Sequence, residues 1–282
     1  MALGGILTAM ITPFRPDGRL DEGAAAGMAR YLLEHGSDGL VLAGSTGEGS
    51  TLSDDEKCAL FEVGVAEARG APVIANTGSN DTAHSVELTE RAAALGVHAV
   101  LVVAPYYNKP NRRGLIEHFR AVASASDLPV VLYNIPSRVV IDMSNELLRE
   151  LAEIPNVTAV KQARYEDLAP IEGLDLLAGN DDMLASVLDL GGAGGICVAS
   201  HLVGPEMRRM IDEPENRSEL HGSLLPLFDA MGTTINPIPV KTALAMMGHD
   251  VGRFRLPMVE ASEDEAAIVR AALERQGLLS TV

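Results

Sequence analysis

Short apolar runs recur along the chain at intervals of roughly 30 residues, the length of one βαβ unit. They are Ile6–Ile11, Gly39–Ala43, Pro72–Asn76, His98–Ala104, Val130–Tyr133, Val157–Lys161, Leu174–Ala178 and Gly195–Ala199. None alternates strictly between apolar and polar positions. Continuous runs of Val, Ile, Leu and Ala predict strands buried on both faces, as in a parallel sheet. Between them, apolar residues return at helical spacing. Glu22–His35 carries Met28, Tyr31, Leu32 and His35 on that period. Asp54–Arg69 is preceded by Ser53 with Glu56 three residues on, which predicts a capping box. Further helices are expected at Ala83–Leu95, Arg113–Ser124, Ser144–Ile154 and Asp181–Leu190. The connection from Lys161 to Leu174 is only about a dozen residues long, near the minimum for a parallel crossover. It contains Pro170, so its helix is expected to be one or two turns, near Tyr165–Leu168.

This alternation predicts an α/β chain forming a (β/α)8 TIM barrel over residues 1–204. Residues 205–282 read as helix throughout, completing the barrel's helices and extending beyond them. The rival is a doubly wound open sheet, but no GxGxxG fingerprint follows the first strand.

Composition narrows the function classes. Apolar residues make up 47%, ample for a core, but there is no Trp and only five Phe and five Tyr, so the core is aliphatic and Met-rich. The net charge of −17 argues against nucleic acid, which needs clustered Lys and Arg, and against anionic membrane surfaces. No apolar stretch approaches the roughly 20 residues that span a bilayer, and Met1-Ala-Leu-Gly-Gly lacks a basic segment followed by a long apolar run, so no signal peptide is expected. Cys58 and Cys197 alone make no disulfide framework and fit a reducing cytoplasm. The histidines show no HxH or HExxH spacing, so no metal site is expected.

In a barrel the chemistry sits at the C-terminal ends of the strands. Lys161 ends the sixth apolar run. An amine there is stripped of water, which favours its neutral form, able to attack a carbonyl and form a Schiff base. The other reading is a strand-end lysine that runs out to solvent or pairs with an acid. After the second run comes Gly44-Ser45-Thr46-Gly47-Glu48-Gly49. It lacks the lysine of a phosphate-binding loop, but its amides and hydroxyls suit a small carboxylate, or else form a plain tight turn. Glu48 suits a helix N-terminus or a buried hydrogen bond. Tyr133, one strand before Lys161, offers a proton-relay hydroxyl or an ordinary core aromatic. Arg138 offers a planar fork for a carboxylate, or a surface ion pair. Tyr106 and Tyr107 follow the fourth run, where exposed aromatics suit an interface.

Taken in order, these residues resemble the pyruvate-dependent class I aldolase superfamily, and within it the dihydrodipicolinate synthase family. The resemblance runs from Thr8-Ala-Met-Ile-Thr-Pro-Phe to Arg255-Leu-Pro-Met. It includes Gly44-Ser-Thr-Gly-Glu, Pro105-Tyr-Tyr-Asn-Lys-Pro, Leu132-Tyr-Asn-Ile-Pro-Ser-Arg, Gly191-Gly-Ala-Gly-Gly-Ile and Asn236-Pro-Ile-Pro-Val-Lys. It implies a Schiff base between pyruvate and Lys161, with the pyruvate carboxylate on Thr46, and Gly179 and Ile196 lining the pocket. It implies a proton relay of Tyr133, Ser45 and Tyr107, the last reaching a neighbouring subunit's site, so that a homodimer is the least functional unit and a tetramer is expected. The second substrate would be aspartate-4-semialdehyde, its carboxylate on Arg138, in lysine biosynthesis with no cofactor. The alternatives are another pyruvate aldolase acting on a keto-deoxy sugar acid or sialic acid, whose members usually lack this arginine, or a catalytically silent paralogue.

Three positions depart from the pattern. Ser45 replaces a usual Thr. Gln162-Ala163-Arg164-Tyr165 replaces Glu/Asp-Ala/Ser-x-Gly, altering one wall of the site. In the family's lysine-feedback site Asn80 and Tyr106 match, but His84 stands where lysine-sensitive members carry Glu, which implies weak inhibition by lysine.

Overall fold

A computed structural model describes residues 3–279. Each expected apolar run holds a strand: β1 (Gly5–Ala9), β2 (Gly39–Leu42), β3 (Val73–Asn76), β4 (Ala99–Val103), β5 (Val130–Asn134), β6 (Val157–Gln162), β7 (Asp175–Ala178) and β8 (Gly194–Cys197). All pair parallel in sequence order, and β8 returns to β1, closing the barrel. Strands such as β2, β5 and β8 are buried along their whole length. With neighbours on both edges and helices outside, none of their side chains needs to be polar for solubility, which is why the runs do not alternate.

The helices are α1 (Glu22–Glu34), α2 (Asp54–Glu67), α3 (Thr82–Ala94), α4 (Arg112–Ala123), α5 (Pro136–Val139), α6 (Asn145–Leu151), α7 (Leu184–Asp189), α8 (Ser200–Asp212), α9 (Arg217–Met231), α10 (Ile238–Met246) and α11 (Glu263–Arg275). The capping box is present: the Glu56 amide donates to Ser53 Oγ and the Ser53 amide donates to Glu56 Oε2 at 2.9 Å. The expected helix near Tyr165–Leu168 is absent. Residues 163–174 cross from β6 to β7 as an irregular loop with a single bridge between Ile171 and Leu174. Pro170 has no amide to donate, and Asp167 takes a left-handed φ of +51°, so a helical turn cannot propagate. The C-terminal region is likewise not helical throughout. Between α10 and α11 the chain is irregular, turned by Gly248 and Gly252 at φ +89° and +62°.

The expected boundary at residue 204 falls inside α8, which kinks at Val203 (φ −130°) ahead of Pro205. Here α8 comes close to the turn after α1. A Cβ on Gly36, itself at φ +90°, would lie 2.5 Å from the Gly204 carbonyl carbon. The buried His201 ties α8 to the barrel: the Ile11 amide donates to Nε2 at 3.2 Å, and Nδ1 lies 2.8 Å from the Val198 carbonyl oxygen. One ring nitrogen accepts and the other donates, so the imidazole is neutral, and burial pushes its pKa down to about 4.

The C-terminal region also reaches the rim of the barrel. Lys241, on α10, is fully buried. Its Nζ donates to Glu48 Oε1 at 3.0 Å, to the Thr12 carbonyl at 3.2 Å and to the Arg253 carbonyl at 2.6 Å. It also lies over the rings of Phe14 and Phe254. The other Glu48 oxygen accepts from the Arg255 amide at 3.0 Å. Glu48 takes a left-handed φ of +51°, and at Gly49 beside it a Cβ would overlap the Ala43 carbonyl. The pair therefore pins the loop that follows β2 in one conformation.

Lys241→Met alone strands a buried carboxylate and is expected to cost about 3–5 kcal/mol, whereas the double variant Lys241→Met/Glu48→Gln should lose much less than the two single losses summed. Chemical denaturation of the four proteins measures this, and additive losses would refute the coupling. A histidine held neutral in the fold stabilises fully above its unfolded value of about 6.5 and progressively less as pH falls towards 4. A His201→Gln variant is expected to be less stable at neutral pH and to lose less on acidification across that window. Denaturation midpoints against pH should therefore converge.

Candidate active site

A cavity of about 440 Å³ opens at the C-terminal end of the barrel. Lys161 lies near its base. In β6 it pairs in register with Tyr133 of β5 and Leu177 of β7. Lys161 is 6% exposed and its Nζ lies 4.3 Å from the centroid of the Tyr133 ring. Among the described residues this amine has no hydrogen-bond acceptor, whereas the other deeply buried lysine, Lys241, has three. The contrast separates their roles. An amine surrounded by carbonyls and a carboxylate is held as a structural cation, whereas one with no hydrogen-bond acceptor and a ring face beside it suits a nucleophile.

The loop after β2 forms one wall. Ser45 and Thr46 line the cavity, and the Ser45 and Thr46 amides donate to no other group among the described residues. Thr46 Oγ1 accepts from Asn236 Nδ2 at 2.9 Å, which leaves its own hydrogen for a ligand. This is a set of donors suited to a small carboxylate. Opposite, Gly179 follows β7, where its amide donates to the Gln162 carbonyl at 2.7 Å. A Cβ there would lie 2.7 Å from that oxygen, so only glycine leaves the wall open. Arg138, on the short helix α5, lines the mouth with its guanidinium 3.4 Å from the Asn236 carbonyl oxygen.

Lys161, Tyr133, Ser45, Thr46, Arg138 and Gly179 therefore meet in one cavity. Two expected residues do not. Ile196 is fully buried in β8, and the residue that lines the wall is Val198, two positions on. Tyr107 lies outside the cavity, 90% exposed and at φ +73°. A second cavity of about 620 Å³ shares Ser45, Tyr133 and Arg138 with the first and gathers Asn80, His84 and Tyr106. In it His84 Nε2 lies 2.8 Å from Asp54 Oδ2, and Lys57 Nζ lies 3.2 Å from Asp54 Oδ1. Burial opposes ionisation of Asp54, but these hydrogen bonds hold its carboxyl below the ordinary range.

Sequence reasoning missed the residues that follow β7: Asn180, Asp181 and Asp182 all line the first cavity. Their place directly after a strand end was the available signal. Asp181 accepts from the Val198 and Ala199 amides at 2.8 and 3.0 Å, tying the β7 loop to the β8 loop, and its desolvation pushes its pKa up. Phe228 and Asp229, from α9, had no such signal, because only the fold brings that helix to the rim. Among the described residues no cluster of His, Cys, Asp and Glu has a metal-binding arrangement. No helix among them is long and apolar enough to cross a membrane.

Known proteins are similar to this chain over nearly its whole length. A relative from Moorella thermoacetica named 4-hydroxy-tetrahydrodipicolinate synthase is 46% identical, covering 99% of this chain and all of its own. A structure described as DHDPS from Cyanidioschyzon merolae with lysine bound is 40% identical, with a TM-score of 0.94, covering 98% of this chain and 99% of its own. One from Acinetobacter baumannii, described as a chloride-inhibited dihydrodipicolinate synthase complexed with pyruvate, is 33% identical with a TM-score of 0.93, covering 99% and 100%. The model of the Dihydrodipicolinate synthetase family matches residues 2–276. An unpaired lysine deep in a parallel barrel, a loop of free donors lining the same cavity and near-complete alignment all lead to one conclusion: this chain belongs to the dihydrodipicolinate synthetase family.

Proposed function

We propose that this chain is a 4-hydroxy-tetrahydrodipicolinate synthase that condenses pyruvate with aspartate-4-semialdehyde. The observation that carries this reading is the single cavity lined by Lys161, by the Ser45–Thr46 loop and by Arg138, the last two suited to carboxylates. Lys161 Nζ attacks the ketone carbon of pyruvate, and water leaves as the imine forms. Loss of a methyl proton gives the enamine, which attacks the aldehyde carbon. The amino group of the second substrate then displaces Lys161 from the imine carbon and closes the ring. Tyr133, beside the amine, is suited to carry protons to the carbinolamine and from it. Thr46 and the loop amides take the pyruvate carboxylate, and Arg138 takes that of the aldehyde, which a sugar-acid aldolase would not require.

Tyr107 fits a role in a second copy of the chain: exposed and held at positive φ, it projects away from its own cavity. The working unit would be at least a dimer, with a tetramer as the expected assembly, in the cytoplasm. Asn80, His84 and Tyr106 would form a lysine-responsive cavity in which Asp54 is already engaged by His84 and Lys57.

Borohydride reduction in the presence of pyruvate is expected to add one pyruvate-derived group to Lys161 and none to Lys161→Ala, as read by peptide mass spectrometry. An unmodified Lys161 would refute the mechanism. Arg138→Ala should raise the KM for the semialdehyde by about tenfold or more, the loss of a charge-assisted contact, in an assay coupled to the following reductase. Lysine should inhibit weakly, because His84 stands where lysine-sensitive members carry Glu and Asp54 is already engaged by His84 and Lys57. Strong inhibition below millimolar lysine would show the opposite.

A further inference from the structure

The loop between β6 and β7 reshapes the mouth of the cavity. No helix forms there, and Tyr165 lines the cavity. Arg164 is anchored on the Asp142 and Asp167 carboxylates, each at 3.0 Å, and its amide donates to Gln162 Oε1. The next side chain, Tyr165, then lies along the cavity wall while remaining 57% exposed. Its hydroxyl donates to both oxygens of Asp182, at 3.0 and 3.1 Å. Burial and the adjacent carboxylate push this phenol up to about 12, so it keeps the proton it donates.

Asp182 poses an electrostatic problem. The chain carries −17 overall, and its acidic substrates must enter past a carboxylate. Asp181, next to it, is engaged by two backbone amides, but Asp182 faces the cavity and its one bonding partner, Tyr165, is neutral. Among the described residues no cation pairs with it. A simple anionic aldehyde is repelled by such a group. An aldehyde that bears both a carboxylate and an ammonium gains from it, provided the two charges lie towards opposite sides of the mouth. Arg138 and Asp182 supply that pair of opposite charges in the same cavity.

We propose that Asp182, held in place by Tyr165, selects the second substrate by binding the α-ammonium of an amino-acid semialdehyde whose carboxylate lies on Arg138. This rests on the synthase reading and adds the residues that distinguish an amino aldehyde from an otherwise identical acid aldehyde. Asp182 is the specificity residue. Tyr165 is a positioning residue whose single phenolic hydrogen is shared between the two carboxylate oxygens.

The test compares kcat/KM for aspartate-4-semialdehyde with that for succinic semialdehyde, which lacks the amino group, in the full-length enzyme with saturating pyruvate. Carbon–carbon bond formation is followed by mass spectrometry, because the second aldehyde cannot close the ring. The wild type is expected to favour the amino aldehyde by at least about tenfold, the worth of one charge-assisted contact. Asp182→Asn should reduce that preference by about tenfold, mainly by raising the KM for the amino aldehyde and lowering that for the other. Tyr165→Phe should shift it the same way by a smaller factor. A ratio unchanged in Asp182→Asn would overturn the proposal, as would equal loss with both aldehydes, which is what a merely structural tie predicts. Failure of wild-type Lys161 to be trapped with pyruvate would instead overturn the synthase reading itself.

Discussion

The contact on which the rest of the site depends is the buried pair of Glu48 and Lys241. A barrel closes its sheet without help from residues beyond α8, but its rim loops are free backbone unless something holds them. Here a carboxylate in a strained loop meets a cation carried by a later helix, and both are out of water. Such a pair gains little net stability over apolar packing, because desolvation offsets most of the attraction. Its value lies in direction: each partner left alone would be a buried charge, so the loop and α10 have one low-energy arrangement relative to each other. That arrangement brings Asn236 to Thr46 and to Arg138, joining two walls of the cavity through one residue of the C-terminal region.

This dependence explains how an acidic chain can bind acids. The surface field of −17 repels pyruvate at a distance. Inside the cavity, however, oriented amides and the Arg138 guanidinium act in a confined space where screening by water is weak. The positive groups are few and fixed, and the negative ones are either engaged, as Asp181 is by backbone amides, or set at the mouth. Charge at the rim therefore sorts ligands, while charge at the base binds them.

The strands were legible because their burial is two-sided and so leaves a continuous apolar trace, and the capping box of α2 was legible because it is local chemistry. Lys161, Tyr133 and the Gly44–Gly49 loop were legible because a barrel places strand ends together whatever the loops do. The helix expected near Tyr165 failed for an equally local reason, the proline and the left-handed turn at Asp167. Ile196 lies within β8 and is fully buried, whereas Val198, just past the end of that strand, lines the cavity.

By itself, the sequence determined the order and number of strands, the parallel barrel they form, the lysine at the end of the sixth strand and the hydroxyl-bearing glycine loop after the second. All of these follow from periodicity or from residues adjacent in the chain. Only the tertiary structure decided which of two buried lysines is unpaired, that Asn236 orients Thr46, and that Tyr165 caps Asp182. Those partners lie tens to nearly two hundred residues apart. Their meeting depends on how the closed barrel and its later helices pack, which no local pattern of side chains records.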